Sequence, residues 1–108
     1  MTDYIEKFKN WLVWKFNNPY GLNWPSGQCP VQIEGTLPTG EHYYFRARGS
    51  RWYIDICQSE QDWWLNKILF KYTDNYGETF EAGWMSKREA IKFATLGIKK
   101  YYQHLSKG

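Results

Sequence analysis

Apolar residues near the start of the chain recur at the spacing of an α-helix. Between residues 3 and 17 they fall on one helix face, and Asp3 and Glu6 have the spacing of a capping box. The sequence Asn-Asn-Pro at 17–19 ends this pattern. We therefore predict an N-terminal helix over residues 3–17. A loop over residues 18–28 follows, and its apolar residues are expected to fold back over the core.

From residue 31 the apolar positions change to a period of two, which predicts β-strands. A three-residue hairpin loop, Pro-Thr-Gly at 38–40, places Ile33 opposite Phe45. A two-residue loop would place Phe45 opposite Glu34, so we reject that register. A primed turn at Gly-Ser 49–50 then pairs Phe45 with Ile54. Three strands therefore share one apolar face.

A second alternating segment follows after a break. Residues 58–67 interrupt the alternation and are expected to form a polar connection that carries two tryptophans. Alternation resumes at 68–73, and Asn-Tyr-Gly at 75–77 predicts a second three-residue hairpin loop. Its register would pair Phe70 with Ala82 and Lys71 with Glu81.

A capping box formed by Ser86 and Glu89 predicts a C-terminal helix from about residue 87 to 105. Gly97 lies within its apolar arc, which predicts close packing against the sheet. The predicted fold is a single α+β domain over residues 1–108. It has an N-terminal helix, an antiparallel sheet of about five strands and a C-terminal helix on one sheet face. The five strands are the three-strand meander and the second hairpin, whose position beside the meander the sequence leaves open.

Aromatic residues make up 20% of the chain, from 7 Trp, 9 Tyr and 6 Phe, which excludes a disordered chain. The strand registers and helix faces assign half of them to the core: Phe8, Phe16, Tyr43, Phe45, Trp52, Phe70, Tyr72, Phe80, Trp84, Phe93 and Tyr101. A second set is left for the surface: Trp14, Tyr20, Trp24, Tyr44, Tyr53, Trp63, Trp64 and Tyr76. We expect any binding surface to be built from this second set.

Charge and cysteine content set further limits. The net charge of +3 permits a nucleic-acid partner without requiring one. No apolar stretch approaches the roughly 18–20 residues that span a bilayer, and the acidic N-terminus is unlike a signal peptide. The spacing of Cys29 and Cys57 matches no metal-binding motif, and we interpret both as free thiols. We expect a cytoplasmic protein that contacts no membrane and holds no cofactor or metal.

The face of the meander opposite the apolar one carries arginines mixed with tyrosines. Arginine pairs with phosphate and tyrosine stacks on bases, so this face is a candidate nucleic-acid site. Such residues are equally typical of a solvated sheet face. The candidate residues are Arg46, Arg48, Arg51, Tyr44 and Tyr53, with Lys92 and Lys99 contributing.

Catalytic groups are sparse on this face. His42 lies opposite Cys57 in the predicted register, which permits a thiolate–imidazole pair. Glu34 and Asp55 flank Tyr44 from the neighbouring strands, on a flat face without a cleft. No third orienting group accompanies the His42–Cys57 pair. We therefore predict a protein that is not an enzyme.

Trp63 and Trp64, with Trp14 and Trp24, form the other candidate site. An exposed tryptophan beside acidic residues is typical of a protein–protein hot spot. The alternative is a loop that folds as a plug over the edge of the core. The leading hypothesis is a protein–protein interaction module, of the inhibitor or adaptor kind that phages and mobile elements encode, and the alternative is a nucleic-acid-binding module. Exposed strand edges leave monomer and homodimer both open.

The segment GWMSKREAIKFA resembles the strand-to-helix step of two small α+β modules. In the double-stranded-RNA-binding domain the last helix begins with a Ser-Lys-Lys-like, Ala-containing segment, which Ser86, Lys87, Arg88 and Ala90 match. The arm-type DNA-binding domain of phage integrases is similar in outline, with three strands and then a helix. Each resemblance covers less than half of the chain. The extra hairpin and the absent first-helix signature depart from the first family, so the sequence assigns the chain to neither.

Overall fold

The computed structural model describes residues 18–26, 31–77, 82 and 85–107. In chain order the elements in these ranges are β1 (Val31–Thr36), β2 (His42–Arg48), β3 (Arg51–Cys57), α1 (Glu60–Trp64), β4 (Phe70–Asn75) and α2 (Lys87–Lys107). The helix predicted over residues 3–17 lies outside the described residues, as do Trp14 and Cys29. The described part is thus an α+β arrangement of one sheet and two helices.

The strands form one antiparallel sheet in the order β1-β2-β3-β4. Ile33 lies opposite Phe45, and Phe45 lies opposite Ile54, which confirms both predicted registers. The two turns depend on glycine, because Gly40 has a φ of 103° and Gly49 a φ of 65°. Glycine adopts this half of backbone space without the steric cost that other residues meet. The turn chemistry therefore fixes which residues face the core.

β4 differs from the prediction in its start and in its surroundings. It begins at Phe70 rather than residue 68, and it pairs with β3, with Phe70 opposite Ile56. The pairing of Phe70 with Ala82 is not observed. Ala82 lies in a 3₁₀ turn, and its N–H donates to the Gly49 carbonyl at 2.9 Å. The remainder of the predicted fifth strand lies outside the described residues, so the described sheet has four strands.

α2 covers the inner face of the sheet and begins where the capping box predicts. The Glu89 N–H donates to Ser86 Oγ at 3.1 Å, and the Ser86 N–H donates to Glu89 Oε1 at 3.2 Å. The predicted close approach at Gly97 is also confirmed, because a Cβ there would lie 2.5 Å from Ile54 Cγ2. The helix backbone therefore rests directly on β3.

Of the aromatic residues assigned to the core, Phe8, Phe16, Phe80 and Trp84 lie outside the described residues, and the other seven separate into two groups. Fully buried are Tyr43, Phe45, Trp52 and Tyr101, and half-buried against them are Phe70, Tyr72 and Phe93. Two tyrosines of the second set pack inward: Tyr20, as the predicted fold-back of its loop implies, and Tyr76. The Tyr20 ring lies 5.5 Å from the Tyr102 ring, and the Tyr76 hydroxyl donates to Glu89 Oε2 at 2.8 Å. The described core therefore lies between the sheet and α2, while Tyr44, Tyr53, Trp63 and Trp64 lie together on the other side of the sheet.

Candidate interaction site on the outer sheet face

The connection after β3 contains a short helix, α1, where the sequence predicted only a polar loop. Ser59 caps its start, because Ser59 Oγ accepts a hydrogen bond from the Asp62 N–H at 3.1 Å. At its end the N–H groups of Asn66 and Lys67 donate to the carbonyls of Trp63 and Asp62, at 3.0 and 2.7 Å. These two bonds, with Asn66 at a φ of 59°, form a Schellman ending. The Ser59–Asp62 spacing and Asn66 are the sequence signals that could have predicted α1.

α1 packs on the outer face of β2 and β3 and buries one end of that face. The Trp63 ring lies 4.7 Å from the Tyr44 ring and 6.2 Å from the His42 ring. Tyr44 is 8% exposed, and His42 is also buried. The prediction that Tyr44 lies on an open face is therefore wrong. The period of a strand cannot show that a later segment folds back over it.

Asp55 is a buried carboxyl group at the centre of the outer face. Its Oδ1 lies 3.5 Å from Lys71 Nζ on β4. Burial raises the pKa of Asp55, although the Lys71 charge and side-chain hydrogen bonds from Lys71 and Trp63 act to lower it. The predicted partner of Lys71, Glu81, lies outside the described residues. Asp55 thus links α1, β3 and β4 through one polar cluster.

The candidate catalytic pair is assembled but enclosed. His42 and Cys57 lie opposite each other, as the register predicts. Cys57 is 0% exposed, whereas the prediction placed it on an open face. Burial, with the carboxyl groups of Asp55 and Asp62, raises the pKa of its thiol. A protonated, buried thiol is a poor nucleophile, so the burial of Cys57 disfavours thiolate chemistry at this pair.

Trp63 and Trp64, which we name the apolar corner, present two very different surfaces. Trp64 is 72% exposed, the most exposed large apolar side chain of the described residues, while Trp63 is half-buried. The centres of their rings lie 4.9 Å apart with an angle of 75° between the ring planes, so the two rings meet edge to face. Leu65 and Leu69, which follow in sequence, are exposed as well. Sequence reasoning missed these leucines because it did not predict α1.

The uncovered half of the outer face is basic. Arg48 and Arg51 are exposed and lie opposite each other, and Arg46 is half-buried in the next row. Lys71 Nζ lies 5.1 Å from the centre of the half-buried Tyr53 ring. We name Arg46, Arg48, Arg51 and Lys71 the cationic strip.

The cationic strip is only partly neutralised within the molecule. Among the described residues, Lys71 is the member of the strip with a carboxylate within ion-pair distance. The Glu34 carboxylate lies 3.6 Å from His42 Nε2, not within ion-pair distance of the strip. Arg46 Nε is enclosed and has no hydrogen-bond acceptor in the described part of the chain. Most of the positive charge of the strip is therefore left for solvent or a partner.

Trp24 does not join the apolar corner. It is 51% exposed in the loop beside β1, where Ser26 and Gln32 form an isolated bridge. Its neighbours in this loop lie on the inner side of the sheet. Leu22 enters the core, as predicted, and Tyr20 packs on α2. The predicted site therefore divides: the structure brings Trp63 and Trp64 together and leaves Trp24 elsewhere.

Comparison with known proteins gives no relatives. No family model matches the sequence, and neither a curated protein nor a solved structure matches the chain. In the described residues no helix is both long and apolar enough to cross a membrane, and no group of three or more His, Cys, Asp or Glu residues could hold a metal ion. The geometry of the outer face is therefore the basis for proposing a function.

Proposed function

We propose that the protein is a non-enzymatic interaction module that binds another protein through the apolar corner. The observation that carries this proposal is the exposure of Trp64, at 72%, directly beside a tryptophan that is fixed in place. Full burial of a large apolar side chain is worth about 1.5–3 kcal/mol, and an exposed Trp64 forgoes most of this. A partner that covers Trp64 would recover it. Tryptophan is also among the residues most enriched in interface hot spots.

The contacts that hold α1 in place support a binding role for the exposed Trp64. Trp63 is held against the buried Tyr44 ring, at 4.7 Å, and also packs toward the buried His42 ring, at 6.2 Å. Capping at both ends fixes the single turn of α1 that carries both tryptophans. A side chain on a fixed platform loses less conformational entropy on binding than one on a mobile loop. The corner is therefore preorganised for a partner.

Affinity capture from an extract of the native host tests the proposal. The baits are the wild type, Trp64→Ala and Leu105→Ala, which removes an exposed apolar side chain from the far end of α2. We expect a protein that the wild type and Leu105→Ala retain and that Trp64→Ala loses, with nuclease treatment making no difference. Equal capture by all three baits would contradict the proposal. So would complete loss of the captured material on nuclease treatment.

The second candidate function is nucleic-acid binding through Arg46, Arg48 and Arg51, with Tyr53. The observation that favours it is the direct cross-strand pairing of Arg48 with Arg51, since like charges opposite each other are destabilising without an anion nearby. Lys92 and Lys99 lie on α2, on the opposite side of the sheet, so they do not extend this surface.

Salt dependence tests this second candidate. Binding of a short labelled duplex through the strip would weaken steeply as salt rises, because each neutralised phosphate releases counterions. The Arg48→Glu/Arg51→Glu variant should abolish that binding. Absence of any retention on nucleic acid at low salt would exclude the candidate.

A further inference from the structure

We infer that the partner of the apolar corner is an acidic segment of another protein. One apolar side chain of the segment occupies the corner, and its carboxylates contact the cationic strip. This inference rests on the proposed function and adds the chemistry of the partner. It depends on three observations: the corner and the strip share one face, their spacing suits a short peptide, and their charges disfavour a nucleic acid.

Ring contacts connect the corner to the strip. Trp63 packs on Tyr44 at 4.7 Å, and the Tyr44 ring lies 6.3 Å from the Tyr53 ring. Tyr53 in turn lies beneath Lys71 and opposite Arg46. A ligand seated on the corner therefore meets the strip without crossing the edge of the sheet.

The strand geometry sets the spacing. Arg46 lies two residues along β2 from Tyr44, which supports the corner, and Arg48 lies four residues along. At about 3.3 Å per residue the backbones of the two arginines lie roughly 7 and 13 Å from that of Tyr44, on which the corner packs. An extended peptide spans these distances in about two and four residues. The expected segment therefore has an apolar anchor with acidic residues two to four positions away.

The surroundings of the strip favour a protein over a nucleic acid. Base stacking needs an open ring face, but Tyr44 is buried and Lys71 lies over the Tyr53 ring. Glu60 and Asp62 place negative charge in the first turn of α1, beside the corner. A phosphate backbone carries charge at every step and would meet these carboxylates, whereas an acidic peptide can place an apolar residue there.

Peptide selection on the immobilised full chain tests the inference. The probes are a phage-displayed library of short random peptides and, separately, a labelled duplex DNA. The baits are the wild type, Trp64→Ala, Arg48→Glu/Arg51→Glu and the matched control Lys92→Glu/Lys99→Glu. The two double variants change net charge equally, but on opposite sides of the sheet. Circular dichroism and urea denaturation establish that each bait is folded.

We expect selected peptides to carry an apolar or aromatic residue with Asp or Glu two to four positions away. Their affinity, measured by fluorescence anisotropy, should be lost in Trp64→Ala. It should fall by at least about tenfold in Arg48→Glu/Arg51→Glu and change little in the α2 control.

Other outcomes overturn the inference in distinguishable ways. Peptides that depend on Trp64 but lack acidic residues and tolerate Arg48→Glu/Arg51→Glu would overturn the acidic partner and leave the proposed function standing. An absence of peptides that depend on Trp64 would overturn both. Duplex DNA that binds through Arg48 and Arg51 and displaces the peptides would assign the strip to nucleic acid and overturn the inference.

Discussion

Trp63 and Trp64 are neighbours in sequence with opposite environments. Trp63 is half-buried, whereas Trp64 is exposed. The two residues lie on a helix, where successive side chains point about 100° apart, rather than on an extended segment.

Replacing each tryptophan separately should show that Trp63 contributes to the stability of the fold and Trp64 does not. Trp63→Ala removes the ring that packs on Tyr44 and should lower the free energy of unfolding by about 2 kcal/mol. Trp64→Ala removes mostly exposed surface and should change it by less than about 0.5 kcal/mol. Urea denaturation measures both. Equal destabilisation by the two variants would show that Trp64 is part of the core.

Gly97 tests the close packing of α2. Gly97→Ala gains about 1 kcal/mol of helix propensity. The new Cβ lies 2.5 Å from Ile54 Cγ2, and such overpacking of a core costs typically 1–3 kcal/mol. We expect a net loss of unfolding free energy in chemical denaturation. The control Lys99→Ala, on the exposed side of the same helix, should shift stability by less than about 0.5 kcal/mol, and a stabilised Gly97→Ala variant would contradict the packing.

Asp55 predicts a specific dependence of stability on pH. Because burial raises its pKa, the folded protein binds more protons than the unfolded chain between the ordinary aspartate pKa of about 3.9 and the raised value. Stability from this group therefore falls as pH rises through that window. Glu41 and Glu89, whose pKa values are lowered, contribute stability that is lost as pH falls through their folded pKa values.

A comparison of variants isolates the Asp55 contribution. The unfolding free energy of the wild type, measured against that of Asp55→Asn, should decline as pH rises from about 4. Tyr53→Phe keeps the carboxyl group and should follow the wild type. A difference between wild type and Asp55→Asn that rises with pH would reverse the sign and contradict the burial of Asp55.

At the scale of elements, the start of α2 was predictable because its capping signal is local. Ser86→Ala removes the acceptor for the Glu89 N–H and should lower the unfolding free energy by about 1 kcal/mol. Ser106→Ala removes a hydroxyl that donates to the Tyr102 carbonyl near the exposed end of the helix, and should have less than half that effect. Equal effects in urea denaturation would contradict the assigned cap.

The element that was missed, α1, shows where periodicity fails. A helix of five residues is shorter than two turns, so no repeat of apolar positions can reveal it. Its signals are the cap at Ser59 and the left-handed Asn66, both of which are visible in the sequence. The strand registers were predictable because two glycine turns and a clear alternation agree on a single pairing.

At the scale of the whole molecule, the two faces of the sheet differ in how far the sequence specifies them. The inner face was predicted because the apolar parity of each strand is local information. The burial of Tyr44 and Cys57 on the outer face was not, since it depends on α1 folding back over β2 and β3. The same fold-back places the apolar corner and the cationic strip side by side on the outer face. The candidate residues were therefore visible in the sequence, while their grouping was not.

The most direct test of the proposed function is the affinity of the captured and purified partner for Trp64→Ala. A hot-spot tryptophan contributes at least about 2 kcal/mol, which corresponds to roughly thirtyfold weaker binding. We predict this loss with an unchanged free energy of unfolding, and near wild-type affinity for Leu105→Ala. Wild-type affinity in Trp64→Ala, or a loss that appears only together with unfolding, would contradict the assignment of the apolar corner as the binding site.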